Sequence, residues 1–279
     1  CKMTSASDLT AEHYQRPEVE ETIFRCSQDG EAWRCLNGDQ GWYIAAENGC
    51  VRLRSPSDYD KTTAEFRTLY WTLDFFEPEV EDIVEQWDEV RKRPVRPIGT
   101  LSECRAYSLG VDIDAVGHNA FDDPDTTKAL EEAATFLIDR LRAAGIEKSV
   151  YALCSGGGVY VLIHHALFTA KSEWSGEARE ARFRHLLEMY NAFIRDTAEA
   201  FSDANPEHIG RVVFDALNGQ KRKFKTIFSI HKTIPAAVVP LDPQCIKISR
   251  EESTIPLSSE VLERGAAWYR DFDPSDKDR

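Results

Sequence analysis

The chain has 279 residues, with 48 Asp and Glu against 34 Lys and Arg, a formal charge of −14 and a pI near 5.0. Its 42% hydrophobic and 10% aromatic content is enough to bury one large core or two small ones, which excludes a disordered acidic tail. A net charge of this sign and size excludes a protein that coats nucleic acid through a general basic surface, but not one that touches it locally.

No apolar run approaches the roughly 18 residues of a membrane span, and no charged-then-apolar leader opens the chain. A cytoplasmic protein with no membrane partner is therefore expected. The start at Cys1 is expected to reflect removal of preceding residues, and the acidic end with Asp271, Asp273, Asp276 and Asp278 reads equally as a cut linker. Seven cysteines, Cys1, Cys26, Cys35, Cys50, Cys104, Cys154 and Cys245, contain no C-x-x-C pair and no zinc-knuckle spacing. Reduced structural thiols and no structural zinc are expected; a metal site built from Cys26, Cys35 and Cys50 is the weaker reading.

In chain order, the first hundred residues read as mixed α/β with aromatic-rich pieces at Trp42-Tyr43-Ile44 and Leu69-Tyr70-Trp71-Thr72-Leu73. An acidic helix is expected from Pro78 to Arg91. Pro94 and Pro97 interrupt it, so a boundary near residues 92 to 100 divides an N-terminal α/β module, 1–98, from a second module, 99–279. That second module opens with a strand, Tyr107 to Ile113, running into Asp112-Ile113-Asp114. Asp125 or Thr126 then caps a helix to about Ala144, with Ala129, Leu130, Ala133, Phe136, Leu137 and Leu141 on one face and Gly145 as its stop. Val150 to Cys154 and Val159 to His164 form a hairpin around Ser155-Gly156-Gly157-Gly158. A long helix follows from Gly176 to Ser202, with Phe183, Leu186, Leu187, Tyr190 and Phe193 at helical spacing. Val212 to Asp215, Thr226 to His231 and Ala236 to Val239 read as strands. The sum is an α+β fold, an antiparallel sheet with helices packed on one face.

The chemistry concentrates in four features of the second module. Asp112 and Asp114 lie two apart on a strand, so both carboxylates point to the same face. Their repulsion is most simply relieved by an oxygen-liganded divalent cation such as Mg²⁺ or Mn²⁺, and Asp215 at another strand end could complete the cage; such a cluster typically bridges substrate phosphates in two-metal phosphoryl transfer. Solvated strand ends are the plain alternative. Ser155-Gly156-Gly157-Gly158 offers backbone N–H groups free of side chains and a hydroxyl, against which a phosphate could lie; such a run is also an ordinary turn. Finally, residues 216–241 contain no Asp or Glu but hold Lys221, Arg222, Lys223, Lys225, His231 and Lys232. A basic island in an acidic chain marks where a polyanion would go, or else a solvated loop.

With these motifs in this order, the sequence resembles the archaeo-eukaryotic primase superfamily, the small catalytic subunit of DNA primase and the primase-polymerases of plasmids and viruses. Val111-Asp112-Ile113-Asp114 matches the first family motif, Ser155-Gly156-Gly157-Gly158-Val159-Tyr160 the second, and Asp215 the third. Phe224-Lys225-Thr226-Ile227-Phe228-Ser229-Ile230-His231-Lys232 looks like the nucleotide-binding stretch and is the most specific part of the match. The likeness covers about Tyr107 to Asp242. It implies an RRM-like antiparallel sheet, a two-metal Mg²⁺ or Mn²⁺ site on Asp112, Asp114 and Asp215, and nucleotide contacts from Ser155, Gly156, Gly157, Gly158, Tyr160, Lys225, Ser229, His231 and Lys232. It further implies template-directed nucleotidyl transfer using nucleoside triphosphates and a single-stranded DNA template, in plasmid, viral or cellular replication. A helicase or an accessory primase domain or subunit is a further implied partner.

Two departures stand out. The histidine of the second motif falls on Tyr160, and His164, on the same side of the strand, is a candidate substitute. The Cys/His zinc site of many cellular primase small subunits has no counterpart in the spacing, which points toward a plasmid or virus type. The Tyr160 substitution keeps open an inactive polymerase-like domain that only binds nucleotide or single-stranded DNA. A tyrosine nickase with a His-hydrophobic-His metal pair is disfavoured, because His164 and His165 are adjacent and point to opposite faces of a strand.

Overall fold

The structure, a computed structural model, describes residues 6–30, 32–34, 36–38, 67–78, 80, 86–88, 93–95, 101–117, 119–219 and 222–270. Trp42-Tyr43-Ile44, Pro97, Lys221 and the cysteines at 1, 35 and 50 lie outside these residues. The N-terminal part forms helices α1 (Ala6–Tyr14) and α2 (Pro17–Cys26). Pro17 opens α2, where its missing N–H costs nothing, and Val19, Ile23 and Cys26 recur on the inward face. Short strands follow: β1 (Gln28–Asp29), β2 (Ala32–Trp33), β3 (Leu36–Gly38), β4 (Leu69–Thr72) and β5 (Asp74–Phe76).

Next comes a hairpin of β6 (Gln86–Asp88) and β7 (Arg93–Val95), with Trp87 opposite Pro94. At Gln86–Asp88 the backbone is strand, not the helix expected from Pro78 to Arg91; residues 79, 81–85 and 89–91 of that expected helix lie outside the described residues.

The remaining elements are β8 (Cys104–Tyr107), β9 (Leu109–Ala115), α3 (Pro124–Ala143), β10 (Val150–Cys154), β11 (Gly158–Ile163), α4 (Gly176–Ala204), β12 (Val212–Asp215), β13 (Lys223–Lys225), β14 (Val239–Leu241), α5 (Arg250–Ser253) and α6 (Ser259–Arg270). Five of the strands make one antiparallel sheet in the order β12-β9-β11-β10-β14. Helices α3 and α4 pack on one of its faces, giving the expected α+β architecture. Ala129, Ala133, Leu137 and Leu141 of α3, with Leu130 beside them, and Phe183, Leu187, Tyr190, Ile194, Thr197 and Phe201 of α4 are buried at 3- and 4-residue intervals. They meet Val111 and Ile113 of β9, both fully buried. Each such aliphatic side chain contributes about 1.5–3 kcal/mol on burial, which anchors β9 from behind.

Two local expectations change. Asp123, not Asp125 or Thr126, caps α3: its side chain accepts the Thr126 N–H, and Pro124 fills the first helical position. The strand expected from Thr226 to His231 is instead a turn after β13. Phe228 there has φ 60°, its N–H donates to Val238 O and Val238 N–H donates to Ser229 O. Ile227, Phe228 and Ile230 are all buried, so their apolar run is satisfied on several sides rather than on one sheet face. Ala236 and Ala237 make only isolated bridges, and the ladder to β10 runs through Val239–Leu241.

Contacts cross the expected boundary near residues 92 to 100. β5 pairs with β8, β4 pairs with β13, and α2 packs on α6. Through β4 and β13 the N-terminal third builds part of the wall around β9.

The close approach of β9 to β11 demands glycine at 158, where a Cβ would sit 2.0 Å from Ile113 O. Gly158→Ala is expected to cost more than about 3 kcal/mol, read as a lower urea midpoint, because a β-ladder must part to admit the methyl.

Candidate functional site

The site starts from strand register. On β9, Asp112 stands opposite Tyr160 of β11 and opposite Asp215 of β12, while Asp114 stands opposite Gly158 and Val213. Since Val111 and Ile113 face the helices, the period-2 alternation turns Asp112 and Asp114 to the other face. Burial, and next the Asp114 charge, push the Asp112 carboxyl up to about 8; Lys225 and Arg222 pull the other way. Among the described residues no donor reaches the buried Asp112 Oδ1. An orphaned, buried carboxylate oxygen in an all-carboxylate group is the donor chemistry of a hard divalent cation.

The hairpin turn lies beside Asp114. Gly156 has φ 84°, and a Cβ built on Gly157 would lie 3.7 Å from Asp114 Oδ1 and 3.8 Å from His231 Nε2. The bare backbone of Gly157 is therefore flanked by an acid and an imidazole. Ser155 closes this turn: its N–H donates to Gly158 O at 2.9 Å, and its Oγ accepts the Gly158 N–H at 3.1 Å.

The basic segment arrives on β13, paired to β4. Lys225 Nζ donates to Tyr160 Oη at 3.4 Å and acts electrostatically on Asp112 and Asp114. Burial lowers the Lys225 ammonium below its ordinary range, against the pull of those two acids. Tyr160 is buried and stacks on Phe224 at 4.5 Å between ring centroids. Arg222 donates to Asp215 Oδ2. His231 Nδ1 accepts the Thr233 N–H at 3.3 Å, which leaves the proton on Nε2, the atom nearest Gly157. Burial, then Lys225, Lys232 and Arg67, lower this imidazole to about 4, so at neutral pH it is a neutral donor. Lys232 is exposed beside it.

The structure thus brings together Asp112, Asp114, Asp215, Gly156, Gly157, Gly158, Tyr160, Lys225 and His231. It does not bring in His164. Ile163 pairs with Leu109, so His164 lies roughly 13 Å beyond Tyr160 at ~3.3 Å per residue, with its Nδ1 accepting the Ala166 N–H. Ser229 is fully buried and its Oγ accepts the Leu69 N–H at 2.8 Å, a role in the turn rather than at its surface. Ser155 likewise spends its hydroxyl on the hairpin.

Three participants went unassigned by the sequence. Arg222 stands seven residues after Asp215 within the acid-free window, a spacing that could have signalled a charge partner. Phe224, under Tyr160, opens the stretch resembling the nucleotide-binding segment but had no role assigned there, and Arg67, whose guanidinium donates to His231 O and Ile234 O, carries no signal without the fold.

A separate group, Glu132, Glu207 and His208, has ligand atoms within 4.8 Å of one another and could hold a metal ion. In its present arrangement His208 Nε2 already pairs with Glu132, which lowers the Glu132 carboxyl below its ordinary range.

No family model matches the chain, and no curated protein matches it significantly. Among solved structures it is similar to the polymerase domain from Mycobacterium tuberculosis Ligase D in complex with DNA. The TM-score is 0.51 at 16% identity, over 97% of this chain and 91% of that one. At this identity the likeness establishes the fold.

Asp112 yields a pH signature. Its carboxyl is raised on folding, so the native state holds a proton that the unfolded chain releases, and stability falls as pH rises from about 4 to about 8. In EDTA, the Tm of the wild type is expected to drop between pH 5 and pH 9, and Asp112→Asn to flatten that drop by on the order of 5 °C in thermal scans.

Proposed function

We propose that the chain is the catalytic domain of a primase-polymerase, a metal-dependent nucleotidyltransferase working on a single-stranded DNA template. The observation that carries this reading is the convergence of Asp112, Asp114 and Asp215 on adjacent, in-register strands beside a bare glycine turn and a cationic segment. The fold is similar to that of the polymerase domain from Mycobacterium tuberculosis Ligase D, and the motifs resemble the archaeo-eukaryotic primase superfamily.

Asp112, Asp114 and Asp215 would hold Mg²⁺ or Mn²⁺, and when bound those ions would supply charge stabilisation at the reacting phosphate. The reaction is attack of a 3′-hydroxyl, or of the first nucleotide's own hydroxyl, on the α-phosphorus of a nucleoside triphosphate. The bond to the bridging oxygen breaks and pyrophosphate leaves. His231 Nε2–H and the Gly157 backbone offer donors to phosphate oxygens, and Lys225, with exposed Lys232, offsets charge on the β,γ-phosphates. Tyr160 holds Lys225 through its hydroxyl and Phe224 through its ring. His231, the histidine of the downstream stretch, sets its imidazole against the glycine turn, while the second-motif position at Tyr160 carries a hydroxyl instead. Residues 1–98 serve as an α/β module beside the catalytic module 99–279, and a helicase or primase accessory partner completes the replicative role. Cys26, Cys104 and Cys154, free and buried, suit a reducing cytoplasm, and among the described residues no helix is long and apolar enough to cross a membrane.

A second reading, binding without turnover, is favoured by a buried, uncharged Tyr160 where the second motif has its histidine. One assay separates the two: unprimed and primed single-stranded templates with each nucleotide set and Mg²⁺ or Mn²⁺, followed by product sizing and pyrophosphate detection. Incorporation by wild type, lost at least 10³-fold in Asp112→Asn with Asp114→Asn at unchanged circular dichroism, supports the transferase. Nucleotide binding without pyrophosphate release supports the binder. Lys225→Ala is expected to raise the KM for nucleotide about tenfold or more, read by steady-state kinetics.

A further inference from the structure

The carboxylate group is already partly neutralised from within the chain. Arg222 sits on Asp215 Oδ2 and, with Lys225, acts electrostatically on Asp112. The two cations differ in freedom. Lys225 is held over the Tyr160 ring and by its hydroxyl. The Arg222 side chain is 26% exposed, and its guanidinium carbon lies 5.4 Å from the Phe224 ring centroid, an aromatic face that can take a guanidinium when the acid is given up. The backbone of Arg222 is fixed independently: its N–H donates to Gly219 O at 3.0 Å, and its carbonyl accepts the Leu73 N–H at 2.9 Å. The side chain can therefore leave Asp215 without unravelling the approach to β13.

From this geometry we infer that Arg222 is an internal counter-ion that competes with a divalent cation for Asp215. The bare site resists the metal alone and accepts it together with a nucleotide. The inference rests on the proposed metal site and concerns its regulation. A dication approaching Asp215 meets a guanidinium already hydrogen-bonded there, so one positive group must yield. Metal binding alone must break a charge-assisted pair between half-buried partners. A triphosphate brings negative charge that offsets the cation and receives the displaced guanidinium, so the exchange becomes favourable. Metal and nucleotide then bind with positive coupling, and the coupling resides in one side chain.

The test is Mn²⁺ titration followed by electron paramagnetic resonance of the free ion, with and without a non-hydrolysable nucleoside triphosphate analogue, on the full chain. Wild type is expected to bind Mn²⁺ at least tenfold more tightly with the analogue than without it. Arg222→Gln is expected to bind Mn²⁺ at least tenfold more tightly than wild type in the absence of analogue, with the analogue's added effect correspondingly reduced. Arg222→Lys, which keeps the charge but loses the fork, is expected to fall between them. Thermal melts in EDTA check folding, and Mn²⁺ should raise the Tm of Arg222→Gln more than that of wild type. Equal or weaker Mn²⁺ binding by a folded Arg222→Gln, with wild type still binding alongside the analogue, overturns the competition and leaves the metal site standing. Absence of Mn²⁺ binding by every form, analogue included, overturns the metal site and the inference with it.

Discussion

The antiparallel pairing of β12, β9 and β11 is the constraint from which the rest follows. Its register sets Asp215 against Asp112 and Gly158 against Asp114, so three carboxylates and a side-chain-free turn share one sheet face. Holding like charges together opposes folding. That opposition is met from two directions. On the reverse face Val111 and Ile113 are driven into α3 and α4 by apolar burial, which fixes the strand whatever its charges prefer. On the charged face, Lys225 and Arg222 come in on and beside a strand that belongs to a different sheet.

That second sheet explains what the N-terminal residues contribute. β4 carries β13, and the turn beyond β13 is tied down by side chains from far away. His13 Nε2 donates to Phe228 O at 2.7 Å, the Tyr14 hydroxyl accepts the Ile230 N–H, and Arg67 Nε donates to His231 O. The left-handed backbone at Phe228 costs about 1–2 kcal/mol, and these tethers, with Ser229 on Leu69, hold it. His231 is thus aimed at Gly157 by residues with no chemistry of their own.

Much of the second module was legible because its signals are local. Two helices with unbroken 3–4 periodicity, a glycine hairpin and strands ending in acids can be read residue by residue, and period 2 alone puts Asp112 and Asp114 together. What escaped depends on partners distant in sequence. The same period 2 carried His164 onto the right side of β11 but at the wrong end, since the alternation fixes a face and not a distance along it. Ser155 and Ser229 have the composition of phosphate donors, yet their hydroxyls are taken by Gly158 and Leu69, contacts set by turn geometry.

The His13 to Phe228 hydrogen bond spans 215 positions. Closing so long a loop is entropically slow, and a contact of that order forms late in folding. Because the amino end emerges first in synthesis, α1 must wait until Phe228 has been made before it meets its partner. The carboxylates on β9 and β12 are joined by a shorter closure, from Asp112 to Asp215, bridged by α3, the β10–β11 hairpin and α4. The imidazole that faces the acids is thus aimed through a longer chain closure than the one that gathers the acids themselves.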